Sequence, residues 1–182
     1  TGHAAGLYRL HQHQYLIMIC VTNRKLCRGD FLERIEQLAA GGADAILLRE
    51  KDLSVPEYAA LAKQCLAICQ AYHTPLWLNS FREVAGALQL PMPILRTLTE
   101  SQRAQLPAIG ASVHSPEEAV LAEKLGASWL IAGHIFATAC KPDLPPRGLD
   151  FLRNVCSIVS IPVYAIGGIT PERLPAITQA GA

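Results

Sequence analysis

Apolar and polar stretches alternate along the chain from about position 15 onward, with a repeat of about 20 to 25 residues. The first apolar run, residues 15–21, is continuous, as in a strand that is buried on both faces. Apolar positions then recur at helical spacing over residues 31–39 and end at a Gly-Gly pair. Further short apolar runs, separated by stretches of helical spacing, predict the other strands, which fall at residues 45–48, 76–78, 109–113, 129–132 and 163–166. This alternation is typical of a parallel sheet joined by crossover helices.

The number of repeats predicts a (β/α)₈ TIM barrel rather than an open doubly wound sheet, because about seven strand–helix units fit. The fourth strand is weak, since it would carry Pro91 and Pro93, which a central strand does not tolerate. An eighth strand would follow Ala182, so we expect the eighth βα unit to be absent from the given chain. Residues 1–14 are predicted to form a flexible tail, and residues 15–182 a single barrel domain.

Charge and composition exclude several classes of function. A net charge of +1 gives no basic surface for nucleic acid or for an anionic membrane. No apolar run reaches the roughly twenty residues that a membrane span needs. The six cysteines show no CxxC pair and no zinc-like spacing, which is simplest to explain as free thiols in a reducing compartment. We therefore expect a soluble, cytoplasmic domain with no metal and no cofactor.

His114 lies where a predicted strand passes into a predicted helix. Ser115, Pro116 and Glu118 form a helix start with a Ser-x-x-Glu capping box. In parallel α/β proteins this edge of the sheet is where ligands bind, and a histidine there can take up and return protons. The alternative is a polar residue that only helps to cap the helix.

Polar residues also follow the other predicted strands, and a barrel would bring them to one face. The candidates for substrate binding, with the candidate base His114, are Arg49, Lys51, Asn79, Ser112, His134, Thr138 and Lys141. Of these, the cations suit a phosphate or a carboxylate, although the alternative for each is ordinary solvated charge.

Gly167 and Gly168 join a strand to a helix start and are the candidates for phosphate binding. Glycine lets backbone N–H groups approach an anion, and the helix dipole favours negative charge there. The alternative is a tight turn that needs glycine for its dihedral angles.

Carboxylates are scarce at these strand ends. Glu50 and Asp52 lie in one loop and Asp143 in a Pro-rich loop, so no close pair suggests a magnesium site. No nucleophile-elbow motif supports acyl transfer. Cys140 is either a reactive thiol or, as we prefer, a small loop residue. The residues therefore indicate proton transfer on a small phosphorylated molecule.

Four motifs resemble those of the thiamine phosphate synthase superfamily. They are LREKDL at residues 48–53, SVHSPEEA at 112–119, GHIFAT at 133–138 and AIGGITP at 165–171. Their common order over residues 15–182 makes the resemblance specific. Within the superfamily, the sequence is most similar to the TenI-type thiazole tautomerases.

The chain departs from the synthase pattern at telling positions. Synthases carry Gln where this chain has Leu47, and Asn-Asp, whose Asp holds magnesium, where it has Asn79 and Ser80. They carry Thr-x-Thr-Lys where this chain has Cys140 in place of the second Thr. Because a synthase must stabilise a pyrophosphate leaving group, loss of the metal carboxylates favours the tautomerase branch.

The resemblance to tautomerases implies an isomerase in thiamine biosynthesis. The substrate would be a carboxylated dihydrothiazole phosphate, and His114 would move a proton to make the ring aromatic without a metal. We expect a small-molecule partner and neither nucleic acid nor membrane, and a homodimer stays open. Two alternatives remain. One is a divergent thiamine phosphate synthase, which needs magnesium, and the other is a non-catalytic barrel that binds or senses a phosphometabolite.

Overall fold

The computed structural model of the chain describes residues 5–10, 16–92 and 99–182. The strands are β1 (Ala5–Leu10), β2 (Leu16–Val21), β3 (Ala45–Leu48), β4 (Leu76–Leu78), β5 (Gly110–Val113), β6 (Trp129–Gly133) and β7 (Val163–Ile166). The α-helices are α1 (Phe31–Ala40), α2 (Val55–Ala71), α3 (Arg82–Leu88), α4 (Glu100–Arg103), α5 (Pro116–Lys124), α6 (Gly148–Ile158) and α7 (Leu174–Gln179). Two 3₁₀ turns are present in addition, at Arg24–Leu26 and Pro171–Arg173.

The strands form a seven-stranded sheet in the order β4-β3-β2-β1-β7-β6-β5. Strands β2, β3 and β4 pair in parallel, as do β5, β6 and β7, and helices connect the parallel neighbours. The predicted α/β fold with parallel strands is thus confirmed. A complete eight-stranded barrel is not confirmed, because the described strands are two parallel three-stranded sets joined through β1.

Strand β1 corrects the prediction of a flexible tail over residues 1–14. It pairs antiparallel with β2, Tyr8 opposite Met18, and with β7, Tyr8 opposite Ala165. It therefore supplies hydrogen-bonding partners to strand edges that would otherwise be exposed. Six residues without a clear apolar alternation do not predict a strand, since the pairing depends on distant segments. The rest of the predicted tail lies outside the described residues.

The weak fourth strand is reduced to a single bridge. Met92 pairs in parallel with Ile109, Leu78 N–H donates to the Pro91 carbonyl at 2.9 Å, and Gly110 N–H donates to the Met92 carbonyl at 3.0 Å. Proline can only accept in such a ladder, which explains why pairing stops so soon. The remainder of the predicted strand, at residues 93–98, lies outside the described residues.

Apolar side chains cover both faces of the parallel strands. One large cluster fills the space between the sheet and the helices. A second cluster lies on the opposite face, and its members are Ile19, Ala45, Leu47, Trp129, Ile131 and Tyr164. The ring centroids of Trp77 and Trp129 in this second region are 4.6 Å apart. Because both faces of the strands are packed, polar chemistry is left to the strand ends.

No helix in the described part of the chain has the length and apolar character required to cross a membrane.

Candidate functional site

The carboxyl ends of the parallel strands bring most of the predicted site residues to one edge of the sheet. Arg49 follows β3, Asn79 follows β4, His114 follows β5, and His134 follows β6, while Gly167 follows β7. Because parallel strands end at the same edge, these positions share it. The loops there also carry Lys51, Thr138, Lys141 and Gly168.

Three cations of this edge lack a carboxylate partner among the described residues. Arg49, Lys51 and Lys141 are exposed, and none forms an ion pair in that part of the chain. Partial burial, followed by the charges of Arg49 and Lys141, lowers the pKa of Lys51. Lys51 is therefore close enough to each of the other two cations to be repelled by both. An arrangement of this kind suits an anionic ligand, which would relieve the repulsion.

A buried network fixes the backbone at Arg49. Its N–H donates to Thr22 Oγ1 at 3.0 Å, and the Thr22 hydroxyl donates to Glu50 Oε1 at 2.9 Å. The backbone N–H of Arg24 donates to the same carboxylate oxygen at 2.8 Å. Glu50 is only 2% exposed, and its carboxylate pairs with Arg24 at 3.4 Å, so it is held within this network and does not neutralise Arg49. Nothing in the local sequence pattern singled out Thr22, since its partner is 28 positions away.

Asn79 is held in a similar way by a helix residue that the sequence pattern did not identify. The buried hydroxyl of Tyr58, on α2, accepts a hydrogen bond from the Asn79 N–H at 3.1 Å. The same N–H also donates to the Leu48 carbonyl at 3.2 Å. The ends of β3 and β4 are thereby tied together beside Arg49 and Asn79.

Ser112 and His114 occupy the end of β5. Ser112 is exposed whereas Ala111 and Val113, on either side of it, are buried, so the Ser112 side chain is open to solvent on the other face of β5. The His114 N–H donates to Glu118 Oε2 at 2.8 Å, and its Nδ1 lies 3.3 Å from the same oxygen. Glu118 thus orients the imidazole ring and leaves Nε2 outside this pair. Ser115 accepts from Glu118 N–H as predicted, but the Glu118 carboxylate bonds to His114 rather than completing the capping box.

His134 supports a loop. It is 5% exposed, its Nε2 lies 3.2 Å from the Leu144 carbonyl, and its own carbonyl accepts from Arg147 N–H at 2.9 Å. Arg147 Nε also donates to the Gly133 carbonyl at 3.2 Å. These bonds fasten the Pro-rich loop after β6, and substrate contact by His134 stays a prediction.

The loop after β6 lines an open cavity of about 480 Å³. Thr138, Lys141 and Asp143 contribute its polar lining. Thr138 Oγ1 accepts from Cys140 N–H at 3.3 Å, and Cys140 is exposed. One cation and one carboxylate at the wall make this cavity polar without a strong net charge.

Gly167 and Gly168 adopt φ values of +98° and +63°, which favour glycine. A Cβ atom on Gly167 would overlap His134, and one on Gly168 would lie 2.6 Å from the Ala137 carbonyl oxygen. The loops after β6 and β7 approach so closely that both positions require glycine. This agrees with the alternative interpretation, in which the two glycines are needed for a tight turn. The N–H groups of Gly168 and Ile169 make no hydrogen bond within the described residues, which leaves them available to an anion.

The helix whose start is predicted after Gly167 and Gly168 is short. A 3₁₀ turn over Pro171–Arg173 comes first, and α7 has only six residues. The predicted contribution of a helix dipole to phosphate binding is therefore small, because too few peptide units are aligned.

Comparison with known proteins shows the family. The family model described as "Thiamine monophosphate synthase" matches residues 18–182. The chain belongs to this family. A thiamine-phosphate synthase of Syntrophomonas wolfei is 34% identical over 174 residues, which cover 89% of this chain and 81% of that protein. A thiamine-phosphate synthase of Pyrococcus abyssi is 34% identical over 176 residues, covering 91% and 82%.

A solved structure extends the similarity to the fold. Thiamine phosphate pyrophosphorylase from Pyrococcus furiosus is similar with a TM-score of 0.78 and 31% identity, covering 90% of this chain and 80% of that chain. The expected superfamily is thus confirmed, and so is the expected connection to thiamine biosynthesis.

The expectation of an isomerase was wrong. The two relatives are named thiamine-phosphate synthases and the solved structure a thiamine phosphate pyrophosphorylase, names that denote transferases and not tautomerases. The role of His114 as the base of a tautomerisation therefore has no support from them. The similarity extends over residues 18–182, whereas a substitution at one strand end, such as Ser80, does not by itself identify the reaction.

Proposed function

We propose that the chain catalyses the reaction of a thiamine-phosphate synthase. In this reaction a pyrimidine that bears a pyrophosphate group is joined to a thiazole phosphate, and pyrophosphate leaves. The observation that carries the proposal is the group of unpaired cations, Arg49, Lys51 and Lys141, at the ligand-binding edge of the sheet. Cations held in advance at the place where negative charge develops are a large source of catalysis.

Each part of the edge has a role in the proposed reaction. The three cations would bind the pyrophosphate group and stabilise it as it leaves. The unbonded N–H groups of Gly168 and Ile169 would bind the phosphate of the thiazole. Asn79 and Ser112, with side chains at the ends of β4 and β5, would orient the rings between these two anion sites.

The donors at this edge do not fit a magnesium ion held by carboxylates, which the resemblance assigns to synthases. Asn79 and Ser80 carry no carboxylate, and the described residues contain no cluster of three or more His, Cys, Asp or Glu side chains. Glu50 is buried in its network, and Glu118 bonds to His114. The steps proposed here are therefore those of side chains and backbone alone.

A second candidate function follows from the same substitution. Ser80 removes a carboxylate without disturbing the cations, and such a site can bind a phosphorylated thiazole or pyrimidine without converting it. A non-catalytic, phosphometabolite-binding protein is thus the alternative. In either case the proposed partner is a small phosphorylated molecule, and cytoplasmic location stays a prediction.

Product formation separates the two candidates. Purified protein would be given both substrates with Mg²⁺, and thiamine phosphate and released pyrophosphate would be measured. We expect turnover by wild type and a loss of about 10²–10³ in kcat for Lys141→Met, as for removal of one transition-state donor. Lys63→Met, an exposed change on α2, is the matched control and should turn over normally. Binding of thiazole phosphate without any product would refute the synthase and leave the binder.

A further inference from the structure

Arg173 connects the two loops that follow β6 and β7. Its Nη1 donates a hydrogen bond of 2.6 Å to the Gly168 carbonyl oxygen. Its guanidinium carbon lies 4.4 Å from the centroid of the Phe136 ring, a stacked position that favours a cation. The Arg173 guanidinium thus contacts the loop after β7 through the hydrogen bond to Gly168, and the loop after β6 through the ring of Phe136.

The same junction occupies three consecutive carbonyl groups. The Ile166 carbonyl accepts from Ile135 N–H at 2.8 Å, and the Gly167 carbonyl accepts from Phe136 N–H at 3.0 Å. Arg173 takes the third, that of Gly168. A carbonyl oxygen that accepts a hydrogen bond points toward its donor. These three oxygens therefore do not repel an anion bound on the other side of the loop.

The direction of the free N–H groups follows from the planarity of the peptide bond. In a trans peptide the C=O and the next N–H point in opposite directions. By holding the Gly168 carbonyl, Arg173 therefore turns the Ile169 N–H away from itself. With the Gly168 N–H, this makes two successive unbonded donors, the arrangement found in backbone anion sites.

We propose that Arg173 is a positioning residue that orients the Gly168 and Ile169 N–H groups to bind the phosphate of the substrate. The inference rests on the proposed function only in that the substrate carries a phosphate. Arginine suits this role better than lysine, because its planar guanidinium can stack on Phe136 and donate to Gly168 at the same time. Its positive charge lies on the carbonyl side of the loop, so it acts through the loop rather than by direct contact.

Inorganic phosphate is the probe for the test. Backbone amide signals in ¹⁵N–¹H NMR spectra would be followed during a phosphate titration, and the Kd taken from the shifts. In wild type we expect the signals of Gly168 and Ile169 to move. Arg173→Met should weaken phosphate binding by about tenfold, as for loss of one charge-assisted hydrogen bond, and abolish the Ile169 shift.

Three further variants separate position from charge. Arg173→Lys keeps the charge and one donor, so we expect partial recovery. Phe136→Leu keeps Arg173 but removes the stacked ring, so we expect an intermediate loss. Arg153→Met removes an equal charge from the exposed face of α6, where Arg153 pairs with Asp150, and should bind phosphate as wild type does.

Each outcome decides the inference. Equal phosphate affinity in wild type and Arg173→Met would overturn it, because Arg173 would then have no part in binding. An equal loss of affinity in Arg153→Met would also overturn it, because net charge and not the position of Arg173 would then matter. Phosphate binding that leaves the Gly168 and Ile169 signals unmoved would also overturn it. If wild type forms no thiamine phosphate but phosphate moves those signals in an Arg173-dependent way, the proposed function fails and this inference stands.

An activity assay distinguishes positioning from general damage to the fold. If the synthase is active, Arg173→Met should raise KM for the thiazole phosphate about tenfold with kcat nearly unchanged, because a remote phosphate contact contributes uniform binding. A fall in kcat with KM unchanged would contradict the inference.

Discussion

The hydroxyl group of Tyr58 donates a hydrogen bond of 2.6 Å to the carbonyl oxygen of Leu48, the residue before Arg49. The same hydroxyl accepts one from the N–H of Asn79 at 3.1 Å. The ring is fully buried and stacks on Phe81 with the centroids 4.0 Å apart. Burial raises the pKa of Tyr58, so the hydroxyl stays a donor at neutral pH. One side chain of α2 thus fixes two strand ends of the candidate site.

Replacing Tyr58 by Phe should lower the free energy of unfolding by about 1–1.5 kcal/mol, because buried hydrogen bonds are lost while the Asn79 N–H still donates to the Leu48 carbonyl and the stacked ring remains. Urea unfolding followed by circular dichroism would measure the change. Tyr72→Phe is the matched control, since the Tyr72 hydroxyl is exposed and bonds to Glu36 at 2.8 Å. Its loss should be below about 1 kcal/mol. An equal decrease in the free energy of unfolding of the two variants would show that the buried Tyr58 hydrogen bond stabilises the protein no more than the exposed one of Tyr72.

Gly110, in β5, provides a second test of packing. A Cβ atom there would overlap the ring of Trp129, which is 6% exposed and packed against Trp77. We expect Gly110→Ala to destabilise the protein by about 1–3 kcal/mol, as overpacking of a core does. Thermal unfolding would measure this effect.

The control for Gly110→Ala is Gly86→Ala in α3. A Cβ atom at Gly86 meets nothing within 4 Å. Because alanine is the better helix former, we expect a gain of about 0.5–1 kcal/mol. Equal destabilisation by both substitutions would mean that overlap with the Trp129 ring does not decide the cost at Gly110.

Local sequence was sufficient to predict most of the fold. The strands predicted at residues 45–48 and 163–166 have those bounds in the structure, because a short continuous apolar run suits a strand that is buried on both faces of a parallel sheet. The start of α5 was also predicted, since Ser115 accepts a hydrogen bond from the Glu118 N–H, three residues on, at 3.2 Å. Strand β1 was not, because its partners β2 and β7 lie in different parts of the chain.

The sequence predicts where the candidate site lies, but not which residues hold its backbone in place. Strand ends identified Arg49 and Asn79, because chain direction alone brings them to one edge. Their anchors, Thr22 and Tyr58, act through contacts 27 and 21 residues away, which no local pattern contains. The Glu118 carboxylate could accept a hydrogen bond either from the N-cap N–H, as in a capping box, or from the His114 N–H. In the structure it accepts from His114. The isomerase prediction was wrong because it depended on a few substituted strand ends, although the similarity to synthases extends over residues 18–182.

The buried cysteines predict a loss of stability in alkaline solution. Burial raises the pKa of Cys20 from 9.0 to about 11, and that of Cys69 from 9.0 to about 11. Burial, followed by the neighbouring Cys69, raises the pKa of Cys65 from 9.0 to about 12. Above pH 9 the unfolded chain releases these protons while the folded protein keeps them, so stability falls as pH rises toward 11. Each thiol contributes a slope of up to about 1.4 kcal/mol per pH unit in this window.

The slope can be measured from urea unfolding between pH 8 and about pH 10.5, a range that spans the unfolded thiol pKa. Cys65→Ala should reduce the slope, whatever its effect at pH 8, because one titrating group is gone. Cys140→Ala, at an exposed position, should leave the slope unchanged. A wild-type slope that Cys65→Ala does not alter would contradict the assignment of the proton to this thiol.

The cationic group predicts a titration that can be observed directly. Partial burial, with the charges of Arg49 and Lys141, lowers the pKa of Lys51 from 10.5, because each disfavours a further positive charge. Lys141→Met removes one of these charges, so the pKa of Lys51 should rise toward its ordinary value. Bound pyrophosphate should raise it too, since an anion favours the ammonium form. The Lys51 side-chain ¹³Cε signal, followed against pH, would measure both shifts, and Lys63→Met should produce neither. If the Lys51 pKa did not respond to Lys141→Met or to pyrophosphate, these cations would not form one anion-binding site, and the proposed synthase would lose the observation that carries it.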